Sequence, residues 1–141
     1  MRITNELKTR QIDFFKLESL KEYYPSHRIE VRLKTENIES GFNNFIWLSD
    51  SDIDTFLVEL DLLDSSRKGE AVLESMSPGE MKLTFKSIDK SGHLSVTLHL
   101  VKEDRLNNDY SYNLEITFQI DPTSLPLVRR GLEELINKDN D

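Results

Sequence analysis

The chain has 141 residues, no cysteine and a formal net charge of −8, from 26 Asp and Glu against 18 Lys and Arg. That length suits one domain over 1–141, able to bury roughly two-thirds of the surface its unfolded form exposes. Without cysteine there is no disulfide framework, thiolate zinc site or cysteine nucleophile, and without a run of about 18 apolar residues there is no membrane-spanning helix.

The charge is unevenly placed. Residues 1–34 hold eight Lys/Arg against five Asp/Glu, whereas residues 35–66 hold eight acids and no Lys or Arg. Such a block repels phosphate backbones and attracts basic proteins, so nucleic acid is not an expected partner. The polar start, Met1 to Lys8, is unlike a signal peptide, and a cytoplasmic location is expected. Residues 1–9 and 137–141 read as loosely ordered ends.

In chain order, segment 11–24 reads equally as strand or helix. Ile29, Val31 and Leu33 alternate as one face of a strand, and Phe45 and Trp47 end another. From Asp50 to Leu63 the spacing of Ile53, Phe56, Leu57, Leu60 and Leu63 predicts a helix with one buried stripe, opened by Ser49 and early acids. Gly69–Met76 reads as a strand. Met81, Leu83 and Phe85 alternate next, then Leu94, Val96, Leu98 and Leu100. The longest alternation runs from Tyr110 to Ile120. Ser77-Pro78-Gly79 suits a type II turn, and Asp89-Lys90-Ser91-Gly92 a hairpin loop. Asp121-Pro122 opens a second helix with Leu125, Val128, Leu132, Leu135 and Ile136 as its stripe. The expected fold is α+β: a single antiparallel, meander-type sheet with two helices packed on one face. Ser95, Thr97, His99, Asn113, Glu115, Thr117 and Gln119 would form its solvent face.

The chemistry-bearing motifs are few. Asp50-Ser51-Asp52-Ile53-Asp54, with Asp61 at the twelfth position, imitates a calcium loop, but Thr55 stands where the loop needs glycine. The helical stripe also runs through it, so no metal and no cofactor are expected. His93 and His99 lie six residues apart, roughly 20 Å along a strand, too far to share an ion. There is no Gly-x-Ser-x-Gly elbow and no glycine-rich phosphate loop, so no catalytic residue is assigned and an enzyme is not expected. Val58 and Leu62 fall opposite the buried stripe, with Asp54, Thr55, Glu59 and Asp61 around them. An apolar pair ringed by carboxylates has the make-up of a docking patch, unless the N-terminal segment or the second helix covers it. Asp50, Asp54, Val58, Glu59, Asp61 and Leu62 are the candidate partner-binding residues.

Several stretches together carry a family resemblance. They are Phe45-Ile46-Trp47-Leu48 leading into Asp52-Ile53-Asp54-Thr55-Phe56-Leu57, then Gly69-Glu70-Ala71-Val72-Leu73 and Gly92-His93-Leu94-Ser95-Val96. Phe118-Gln119-Ile120-Asp121-Pro122-Thr123-Ser124-Leu125 is the last. Over roughly residues 28–136 the chain resembles the WapI-like bacterial immunity proteins, with Arg28-Ile29 where that family usually shows a Trp-Leu pair. The resemblance implies a cytoplasmic inhibitor of a contact-delivered toxin, often a nuclease and so a basic protein, and no catalytic residues. The alternatives are a ligand-binding or adaptor domain and an enzyme with a dispersed site.

Overall fold

Residues 1–103 and 111–138 are described by the structure, a computed structural model. The first half contains strands β1 (Arg2–Thr4), β2 (Gln11–Leu20), β3 (Ser26–Thr35) and β4 (Ile38–Ser49), followed by helix α1 (Asp50–Ser66). The second repeats that order with β5 (Glu70–Glu74), β6 (Met81–Ser87), β7 (Leu94–Glu103) and β8 (Ser111–Ile120). A 3-10 turn (Pro122–Ser124) then leads into helix α2 (Leu125–Asn137). Each group of four strands is an antiparallel meander, β1-β2-β3-β4 and β5-β6-β7-β8. Tyr110 and residues 139–141 lie outside the described residues.

The expected single sheet is therefore two four-stranded sheets. Two physical causes hide this arrangement from the sequence pattern. Segment 11–24 contributes a full strand, but its alternation breaks: Ile12 and Phe14 are buried, then the register shifts between Lys16 and Glu18, and Leu17 and Leu20 end up exposed. One inserted residue changes the face of every side chain after it, so neither period survives in the sequence. The second cause is α1, which lies against β5. Glu59 accepts the Val72 N–H at 3.2 Å, taking a backbone donor that a neighbouring strand would otherwise use.

The helices cross over. α1 packs on β5 and β6 of the second sheet, and α2 on β1 and β2 of the first. Phe56 of α1 meets Phe85 of β6 with ring centroids 5.9 Å apart, while Lys16 of β2 donates its ammonium to the carbonyls of Ile136 and Lys138 at the end of α2. Arg129 of α2 ties the helices together, reaching Asp61 at 3.0 Å and the Leu57 carbonyl at 3.2 Å. Between these layers lies one contiguous hydrophobic core, fed by both sheets and both helices. Each large apolar side chain in it contributes about 1.5–3 kcal/mol relative to exposure.

The first residues, as β1, pair with β2. Ile3 is buried, and the Met1 ammonium donates to the Phe14 carbonyl at 3.0 Å. Burial there pushes the amino group below its usual range, with the nearby Asp13 carboxylate opposing the shift. Met1 also packs against Gly131 inside α2, where a Cβ would sit 3.0 Å from Met1 Cγ. The turns follow the sequence. Gly79 takes φ +88° in the turn where the Glu80 N–H reaches Ser77, and Gly92 takes φ +90° in the β6–β7 loop. The polar solvent face of the second sheet forms as read, with Thr97 and Thr117 hydrogen-bonded across β7 and β8 at 2.8 Å.

Candidate functional site

Helix α1 starts where its chemistry says it should. The Ser49 hydroxyl accepts the Asp52 N–H at 3.1 Å, and Asp50 and Asp52 occupy the first turn at the positive end of the helix dipole. Its buried side is Ile53, Phe56, Leu57, Leu60 and Leu63. The calcium-like segment is thus helix throughout. Among the described residues no group of three His, Asp or Glu is placed to hold a metal ion.

The opposite side of α1 faces outward, with Asp54, Val58, Asp61 and Leu62 recurring at three- and four-residue spacing. Val58 and Leu62 are 60% and 61% exposed, so neither α2 nor the N-terminal strand covers them. The six candidate residues do not share one role. Asp54, Val58 and Leu62 present free side chains. Asp61 pairs with Arg129, and Glu59 is turned to the edge of β5.

Asp50 belongs to a network that the sequence did not disclose. The β2–β3 register sets Ser19 beside His27. The Ser19 hydroxyl lies 2.7 Å from His27 Nδ1, and His27 Nε2 lies 2.6 Å from Asp50 Oδ1. The connectivity is that of a serine–histidine–aspartate relay. Its setting is different, because the Asp50 side chain is 47% exposed, whereas the carboxylate that orients a catalytic imidazole is buried. Here the ring joins two strands to the first turn of a helix. The Asp50 N–H adds a second tie, donating to the Pro25 carbonyl at 2.9 Å. Spacings of eight and twenty-three residues carry no motif, so only the hairpin register could have revealed the set.

Above this network runs a groove of about 930 Å³ between the β2–β3 hairpin, the start of α1 and the end of α2. Ser19, Leu20, Pro25, His27, Asp50 and Asp54 line the hairpin and α1 sides. Lys16, Lys21 and Lys138 also border it, with Lys16 spent on the carbonyls of α2. The groove thus carries three lysines against two aspartates, and the acidic excess belongs to the outward side of α1.

Elsewhere, hydrogen bonds hold the surface carboxylates of Asp89 and Asp121 below their usual range. The His93 imidazole does so first for Asp89, and the Thr123 N–H for Asp121. Both close turns and lie away from the stripe.

An apolar stripe bounded by carboxylates on a rigid helix has the composition of a protein-docking surface. Residues 6–139 match the immunity protein WapI-like family, nearly the whole chain, and the chain belongs to that family. Its role is accordingly that of an immunity protein, whose partner is a cognate toxin. No curated protein matches the chain significantly. Among solved structures it is similar to a chain of the Trypanosoma bruciei MRP1/MRP2 crystal structures, at 12% identity and a TM-score of 0.47. That match covers 96% of this chain and 81% of the other, and at that level it defines neither fold nor function. No helix among the described residues is long and apolar enough to cross a membrane.

Proposed function

We propose that this immunity protein acts in the cytoplasm and neutralises a basic toxin domain, of the kind that attacks nucleic acid, by binding it through the outward stripe of α1. The observation that carries the reading is the exposure of Val58 and Leu62 between Asp54 and Asp61 on a helix whose other side is fully committed to the core. The apolar pair supplies contact area, and the carboxylates supply complementary charge. Charge of this kind acts mainly on the rate of encounter. Binding to the toxin, rather than turnover of a substrate, is the whole of the activity in this reading.

Glu59 and Asp61 also hold the fold together, so the cleanest probes are Asp54 and Val58. Asp54→Lys is expected to slow association with the purified cognate toxin domain. The effect should shrink as salt shortens the Debye length below about 8 Å. Val58→Asp should speed dissociation with little change in melting temperature. Surface plasmon resonance at two salt concentrations measures both. Wild-type rate constants in both variants would sink the α1 reading.

A further inference from the structure

The hairpin between β2 and β3 carries apolar side chains that the core does not use. Leu20 ends β2 half exposed, and Tyr23 and Tyr24 in the connection are 99% and 75% exposed. Tyr23 holds a left-handed backbone at φ +63°. That conformation is disfavoured for a bulky residue, whereas glycine adopts it freely. A strained residue persists only where its surroundings fix it, and such strain gathers at binding and catalytic sites.

The Tyr24 N–H closes onto the Glu22 carbonyl at 2.8 Å around Tyr23, and two ties hold the hairpin beneath it. The Asp50 N–H holds the Pro25 carbonyl, and His27 bridges Ser19 to Asp50. Both fasten the base of the hairpin to the first turn of α1. The tyrosines and the helix stripe are therefore kept in one relation, with the groove between them. Asp54 belongs to the groove and to the stripe alike.

Size argues for a second contact region. A stable interface takes about 20–30 residues from each side. A helix of 17 residues with its inner side buried cannot supply that number alone. Binding energy also concentrates in a few rigid aromatic or arginine anchors, and α1 offers none on its outward side. Tyrosine fits the partner already inferred, since its ring packs on apolar carbon and takes a lysine or arginine over its face.

We propose that Tyr23 and Tyr24 are the aromatic anchors of the toxin interface, so that a basic toxin domain docks across the groove, with the hairpin tip on one side and α1 on the other. The proposal rests on the immunity reading given above and deepens it. The two kinds of side chain have separate places in it. The acids of α1 steer the encounter, and the tyrosines hold the complex once it has formed.

The test uses the full chain and the purified cognate toxin domain. Tyr23→Gly is expected to raise the melting temperature, because the left-handed backbone is relieved, and to speed dissociation at least tenfold. Tyr24→Ala should speed dissociation to a similar degree at unchanged melting temperature. Neither effect should fade with salt, in contrast to that of Asp54→Lys. Tyr23→Asn, which also tolerates the left-handed region, serves if the glycine variant is poorly folded. Tyrosine variants within twofold of wild-type dissociation, with Asp54→Lys still slowing association, would overturn the hairpin proposal and leave the α1 reading standing. Weakening by the tyrosine variants alone would support the hairpin and remove α1. No complex with the wild-type chain would remove both.

Discussion

His27 shows what a single side chain can do without any local signal. It is buried at the start of β3, with Ser19 on one ring nitrogen and Asp50 on the other, so three elements meet at one imidazole. Removing it would break two hydrogen bonds whose partners water can still reach, and a hydrogen bond of this kind contributes about 0.5–1.5 kcal/mol net. His27→Ala is expected to lose stability in that range by urea unfolding, and a loss below about 0.5 kcal/mol, the level of an ordinary surface change, would show that the network is ornamental. Phe56 is the opposite case, since its spacing alone announced its burial. It is fully enclosed against Phe85, and Phe118 of β8 lies in the same core. Phe56→Ala should cost about 3–5 kcal/mol. An apolar residue in phase with its neighbours is legible because the helix period is local. A hydrogen bond between strands depends on register, which local sequence specifies weakly once a bulge intervenes.

Elements were legible in proportion to how far their period ran unbroken. α1, α2, β6 and β7 have clean stripes or alternations, and the structure places them at or within a few residues of where those patterns end. β2 was not legible, because of the register shift at Lys16. β4 was only half visible, since Phe45 and Trp47 end a strand of twelve residues. The candidate site divides the same way. The outward placement of Asp54, Val58 and Leu62 followed from helical phase, whereas the use of Glu59 by β5 and of Asp61 by Arg129 needed the tertiary fold. Caps were readable too, and one sets a pH dependence. The Asp121 carboxylate accepts from the Thr123 N–H at 2.9 Å and from the Thr123 hydroxyl at 2.8 Å, which holds its pKa below the ordinary value. A depressed carboxyl pKa gives stability that is present above the unfolded value and lost as pH falls through the folded one. The stability gap between wild type and Asp121→Ala should therefore be full at neutral pH and close in strong acid. Urea midpoints across a pH series check this, and a gap that stayed constant with pH would contradict the cap.

At the scale of the whole molecule the two halves share one plan, four strands and then a helix, although no repeat is visible in the sequence. Sequence pattern alone puts both helices on one sheet because sheet number depends on which edges pair, and that is not a local property. The crossing of the helices has a consequence for how the chain comes to be folded. Each sheet gets its covering helix from the other half, so neither half holds a complete core, and partial loss of one should propagate to the other. Denaturation is expected to be a single transition, with circular dichroism and Trp47 fluorescence giving coincident midpoints. Separate midpoints would mean that the halves unfold independently. The same crossing lengthens the loops that folding must close, as Lys16 and Ile136 meet across 120 positions. Topologies dominated by such distant contacts fold slowly, roughly in milliseconds to seconds rather than microseconds. Until α2 arrives, the inner face of the first sheet has no lid, and Ile12, Phe14 and Ile29 are open to whatever apolar surface reaches them first. Slow closure thus makes the nascent chain, more than the finished protein, the form most exposed to aggregation.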